Sequence, residues 1–200
     1  MTLAAALLLG AVSVCVWFLA EGARPAARVH LRFASVLFAA LATARLAGAP
    51  LGDEFGLLVI AIALPVLALA VRAGFESPTP PLWATVLLAA ASICGLAGAA
   101  TGMIAFAVAP VVFSAAAIIA VCVRRFGGAR LPAFQGILSA LAFLAAMSSF
   151  ARNGAAAPCL LFSATALLGL TIAVSRASNL AVEEKRRRNV RRNAIIGGVR

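Results

Sequence analysis

Residues 82–123, LWATVLLAAASICGLAGAATGMIAFAVAPVVFSAAAIIAVCV, contain no charged side chain. As one α-helix this stretch would be about 60 Å long, roughly twice the hydrocarbon thickness of a bilayer. It must therefore fold back on itself. Small residues and breakers gather at Gly98-Ala99-Ala100-Thr101-Gly102, so the turn is expected there. This gives two spanning helices, 82–100 and 103–123, with Pro110 kinking the second. An uncharged hairpin of that length has no polar surface to offer water, and it marks an integral membrane protein.

Composition points the same way. The chain is 64% hydrophobic and 12% charged, with a mean hydropathy of +1.08. A soluble domain is about 45–50% apolar and about 25% charged.

Toward the N-terminus, a breaker-rich loop with Pro78, Pro80 and Pro81 precedes the hairpin. Before it lies a predicted span over 55–71 that contains Pro65. Asp53 and Glu54 open that helix, where carboxylates suit the positive end of its dipole and Asp53 can cap it. The preceding span covers 30–47 and ends near Arg45. The first covers 2–20. No Lys or Arg precedes its apolar run, while Arg24, Arg28 and Arg32 follow it, which is the reverse of a cleaved signal. Toward the C-terminus, Arg124, Arg125, Gly127, Gly128 and Arg130 form a loop. Spans over 132–150 and 158–175 follow, separated by the turn Arg152-Asn153-Gly154. The chain thus divides into a transmembrane domain, 1–175, and a basic tail, 176–200.

The tail sets orientation. It carries Arg176, Lys185, Arg186, Arg187, Arg188, Arg191, Arg192 and Arg200 against Glu183 and Glu184. Basic flanks stay on the cytoplasmic side of a membrane. With seven spans and the tail inside, the N-terminus lies outside and only Arg45 and Arg152 fall in outside loops. Merging or dropping any span destroys that separation. The expected fold is therefore all-α: a polytopic bundle of seven transmembrane helices, N-terminus outside, C-terminus cytoplasmic. Abundant Arg and Ala beside scarce Lys suggests a GC-rich bacterial genome and hence an inner (plasma) membrane. The net charge of +11 needs no nucleic acid under this topology. Anionic lipid headgroups attract juxtamembrane basic residues by about 1 kcal/mol each.

Residues that could carry chemistry are few. All six acids lie outside or at the edges of the predicted spans, which argues against an ion-coupled pump. His30 is the single histidine, so a haem pair, a metal site or a His-based triad lacks partners. Cys15, Cys94, Cys122 and Cys159 form no C-x-x-C pair, and we read them as small hydrophobes. Neither a cofactor nor a catalytic residue is expected.

Two small-residue stripes stand out at helical spacing. One is Ala91, Gly95, Gly98 and Gly102; the other is Ser139, Ala142, Ala146 and Ser149, continued by Gln135. Small residues let helices approach closely in lipid, so both are read as packing seams. Gln135, the one bulky polar side chain near a span, is a candidate for lining a cavity. Arg45, Asp53, Glu54 and Arg152 are the place where opposite charges could converge outside, as a polar site or as interfacial pairs. Lys185, Arg186, Arg187, Arg188, Arg191 and Arg192 are candidate contacts for anionic lipid or a partner.

The leading expectation is a non-catalytic membrane subunit or scaffold, multi-pass, that binds partner proteins or lipids within a larger assembly. The alternatives are a small transporter or channel, and a membrane sensor module that signals through its basic tail.

Overall fold

The computed structural model describes residues 2–47, 53–76, 104–153 and 156–197, and the single helical positions 86, 90, 93 and 97. The expected turn at 98–102, and the rest of the span over 82–100, lie outside the described residues.

All regular structure among the described residues is helical. Helix α1 spans Thr2–Leu19 and closes in a 3-10 turn, Ala20–Gly22. Helix α2 spans Pro25–Leu46, and α3 spans Asp53–Phe75. Helix α4 covers Ile104–Arg125, α5 covers Arg130–Asn153, and α6 runs from Ala156 to Gly197. Pro65 and Pro110 sit inside α3 and α4 without ending them. Among the described residues, five stretches are long and apolar enough to cross a membrane: Leu3–Gly22, Pro25–Leu46, Val108–Arg125, Arg130–Ser148 and Ala157–Val190. Val59–Phe75 is a shorter apolar helix.

Two boundaries differ from the expectation. Helix α2 begins at Pro25 rather than near residue 30, because proline lacks the N–H that a first turn leaves unbonded and has φ preset for a helix. Arg28, His30 and Arg32 are thus on the helix. Helix α6 continues through Arg176 as one helix of 42 residues. That is about 63 Å at 1.5 Å per residue, so it extends well beyond the bundle.

The described helices form a ring in chain order. Each packs on the next, α6 returns to α1, and α3 also reaches α6 across the ring. Close approach depends on small residues. An ideal Cβ at Gly22 would lie 2.5 Å from Ser175 Oγ, and one at Gly169 would lie 2.5 Å from Ser139 Oγ. At Gly74 it would lie 2.8 Å from Val174 Cγ1, and at Gly136 2.6 Å from Cys122 Sγ. Three of these four contacts involve α6.

Among the described residues alanine and leucine dominate the interior, with Phe38 and Phe143 as the largest fully buried side chains. Two buried hydroxyls bond back to their own helix, Ser13 to the Leu9 carbonyl and Thr171 to the Leu167 carbonyl, each at 2.8 Å. The exterior carries large apolar side chains such as Phe18, Phe113 and Leu131. Such an outward apolar surface is costly in water and suits hydrocarbon.

Helices α3 and α4 run in the same direction. Their C-terminal ends meet where Arg124 lies 3.8 Å from Glu76. Ile104, at the start of α4, is about 32 Å away at the other end of its helix.

Candidate functional site

One end of the bundle collects the basic residues. The ends of α1, α3 and α4, the starts of α2 and α5, and the Ser175–Ser178 turn of α6 all meet there. Above this level α6 leaves the bundle, and residues 182–190 are exposed all round.

A cleft of about 260 Å³ opens at the root of the projecting part of α6. Ala177, Leu180, Ala181, Glu184, Lys185 and Arg188 of α6 form one wall. Arg24, Phe75, Glu76, Arg125, Gly128 and Ala129 form the rest. Helix geometry explains the α6 wall, since residues three and four apart share a face. Both acids are engaged. Glu76 lies 3.6 Å from Arg72 and 3.8 Å from Arg124, and Glu184 pairs with Arg188 one turn along. Arg24 Nη1 donates to the Ala73 carbonyl at 3.3 Å, which ties the start of α2 to the end of α3. Arg125 and Lys185 have no acidic partner among the described residues. The cleft is thus positive, with an apolar floor of Phe75, Ala177 and Leu180. Chemically it can hold an anion that has an apolar body.

A second cluster marks the outer corner of the same end. Glu21 pairs with Arg28 at 3.1 Å and also with Arg32. The Arg32 guanidinium stands 4.8 Å from the centre of the Trp17 ring. Tryptophan and arginine together are what a membrane–water interface selects.

Of the tail residues singled out from the sequence, Lys185 and Arg188 line the cleft, while Arg186 and Arg187 are exposed. The side chains of Arg191 and Arg192 lie outside the described residues. On the α5 stripe, Ser139 is buried against Gly169, Ala146 is buried and Ala142 is half-buried. The Ser149 side chain is outside the described residues, as are Ala91, Gly95, Gly98 and Gly102.

The Gln135 carbonyl accepts a hydrogen bond from Ser139 Oγ at 2.8 Å, while Gln135 Oε1 is buried with no bonded partner among the described residues. Arg45 sits at the end of the bundle opposite the cleft. The side chains of Asp53, Glu54 and Arg152 are outside the described residues. Cys122 and Cys159 are buried, Cys15 is exposed, and His30 is half-buried on α2.

Arg24, Arg125, Phe75 and Glu76 had not been singled out as a site from the sequence. Their one signal there was position: each lies at the end of an apolar segment, on the side that the charge pattern assigns to the tail.

No protein-family model matches this chain, and no curated protein or solved structure matches it.

Proposed function

We propose that this chain is a non-catalytic, multi-pass subunit or scaffold of a bacterial inner membrane, and that it binds partner proteins and anionic lipid at its basic end. The observation that carries the reading is α6. Half of this helix is the most intimately packed element of the bundle, and the other half is an exposed basic arm. Apart from the cleft at its root, no described residue packs over this arm, which favours a surface open to another molecule.

The proposal includes seven spans with the C-terminus cytoplasmic. Its support is the parallel course of α3 and α4, which calls for a return crossing between them, and the gathering of basic residues at one end. A transporter has less support, because the buried rings of Phe38 and Phe143 stack across the middle of the bundle. A sensor module has one observation in its favour: α6 is unbroken from bundle to arm, so a shift inside would move the arm.

The test is purification of the tagged full chain from its native membrane in mild detergent, with co-eluting proteins and lipids identified. Partners in fixed stoichiometry are expected. A clean monomer or homo-oligomer overturns the subunit reading.

A further inference from the structure

We infer that the cleft at the root of α6 is a built site for a single phosphate group, carried by the headgroup of an anionic phospholipid. This inference rests on the membrane placement of the basic end but not on the existence of a protein partner.

Three features argue for a built site rather than a diffuse basic surface. First, its cations come from three separate parts of the fold: Arg24 starts α2, Arg125 ends α4, and Lys185 and Arg188 lie on α6. Only tertiary structure brings them to one cavity. Second, the acids in the wall are already neutralised, Glu76 by Arg72 and Arg124 and Glu184 by Arg188. The guanidinium of Arg125 and the ammonium of Lys185 therefore face the cavity without a counter-ion among the described residues. A phosphate offers acceptors for several charge-assisted hydrogen bonds at once. Third, Phe75 and Leu180 supply an apolar side to the same cavity. An inorganic anion has no use for it, whereas the glycerol end of a lipid does.

The depth is appropriate. Trp17, beside Arg32 at this end of the bundle, belongs to the residues that settle at headgroup level. A lipid whose chains lie along the apolar exterior would present its phosphate here.

The test uses the full chain in mild detergent, titrated with phosphatidylglycerol and with phosphatidylcholine, and read by native mass spectrometry. Arg125→Gln with Lys185→Gln removes two cleft cations. Arg186→Gln with Arg187→Gln removes the same charge from the exposed arm. The expected result is one tightly held phosphatidylglycerol, weakened about thirtyfold by the cleft pair at a factor of about five per basic residue. The arm pair, exposed to water and off the cleft wall, should change it less, by about threefold at most, as exposed charge contacts do. Leu180→Glu, at a position 44% exposed, should abolish retention without threatening the fold.

Equal effects of the two pairs would reduce the site to diffuse attraction and overturn the inference, leaving the subunit proposal intact. Retention unchanged by any of these variants would also overturn it. Glycerol 1-phosphate supplied in solution separates the sources of phosphate. Binding as tight as that of the lipid would assign the cleft to a soluble organophosphate and reject the headgroup.

Discussion

Phe38 of α2 and Phe143 of α5 stack across the centre of the bundle, their ring centroids 6.2 Å apart and their planes inclined by 27°. Helices α2 and α5 are not neighbours in the ring, so the two rings bridge a gap that backbones leave open. Each ring sits about 20 Å along its helix from the basic end. At that depth two buried aromatic rings lie between the helices.

Truncating either ring should therefore leave a void that neighbouring helices cannot collapse into. Phe38→Ala or Phe143→Ala is expected to destabilise the bundle by about 3 kcal/mol, the cost of an unfilled aromatic cavity. The second truncation should cost less than the first by about 1 kcal/mol, because the stacking term is lost only once. Unfolding in a denaturing detergent, with both single variants and the double, measures this. Strict additivity would mean that the rings do not support each other.

The close approach of α5 and α6 gives a second prediction with its own rescue. Alanine normally favours a helix over glycine by about 1 kcal/mol. At Gly169 the sign should reverse, since the new Cβ would lie 2.5 Å from Ser139 Oγ. Gly169→Ala alone is expected to destabilise by about 1–3 kcal/mol, as overpacking does. Adding Ser139→Ala removes the clashing oxygen and leaves Ser139 Cβ at 3.8 Å, an ordinary contact. The double variant should recover wild-type stability or exceed it. Gly128→Ala, with nothing within 4 Å, is the neutral control.

These two contacts differ in how far they could be read from the sequence. Ser139 belonged to a stripe of small residues, so a seam on that helix was foreseeable, although its partner Gly169 was not. The Phe38–Phe143 stack had no signal at all. Neither residue lies in a pattern that names the other, and only the ring order brings them together. Helix class was legible because uncharged runs of spanning length admit no other structure in lipid. The length of α6 was not, because hydropathy reports where an apolar segment stops and is silent on where a helix stops. Glu183 to Arg188 are sound helix formers, and they carry α6 onward past Arg176. The cleft was missed for a related reason. Its walls come from four stretches far apart in the chain, and their basic residues had served only to orient the spans.

Orientation can be tested with single cysteines at exposed positions. Leu46 ends α2 at one end of the bundle, while Gly127 and Val182 mark the other. With the basic end cytoplasmic, a membrane-impermeant maleimide on intact cells should label Leu46→Cys. It should reach Gly127→Cys and Val182→Cys only after the membrane is opened. The four native cysteines, among them the exposed Cys15, are replaced by serine first, so that only the introduced thiol can react. Labelling of Val182→Cys in intact cells would invert the assigned topology. Labelling of Leu46→Cys and Val182→Cys from the same side would exclude an odd number of crossings between them.

The division of α6 into a packed half and a bare half makes the last prediction. Ser175 and Ser178 sit against Gly22 and Gly74, whereas residues 182–190 are exposed all round. Ending the chain after Ala181 should therefore leave the bundle folded, with a change of about 0.5 kcal/mol or less, as for exposed surface positions. It should abolish co-purification of protein partners, and it also removes Lys185 and Arg188 from the cleft, so lipid retention should fall with it. Asn179→Pro keeps every charge of the arm but takes one hydrogen bond from the helix and crowds the Ser175 carbonyl, at about 3 kcal/mol. If charge alone recruits the partner, Asn179→Pro binds it normally. If the arm must leave the bundle at a fixed angle, this variant loses the partner as fully as the truncation does. Pull-down of the same membranes with all three forms distinguishes the cases. Full partner recovery with the truncated chain would remove the arm from the binding surface altogether.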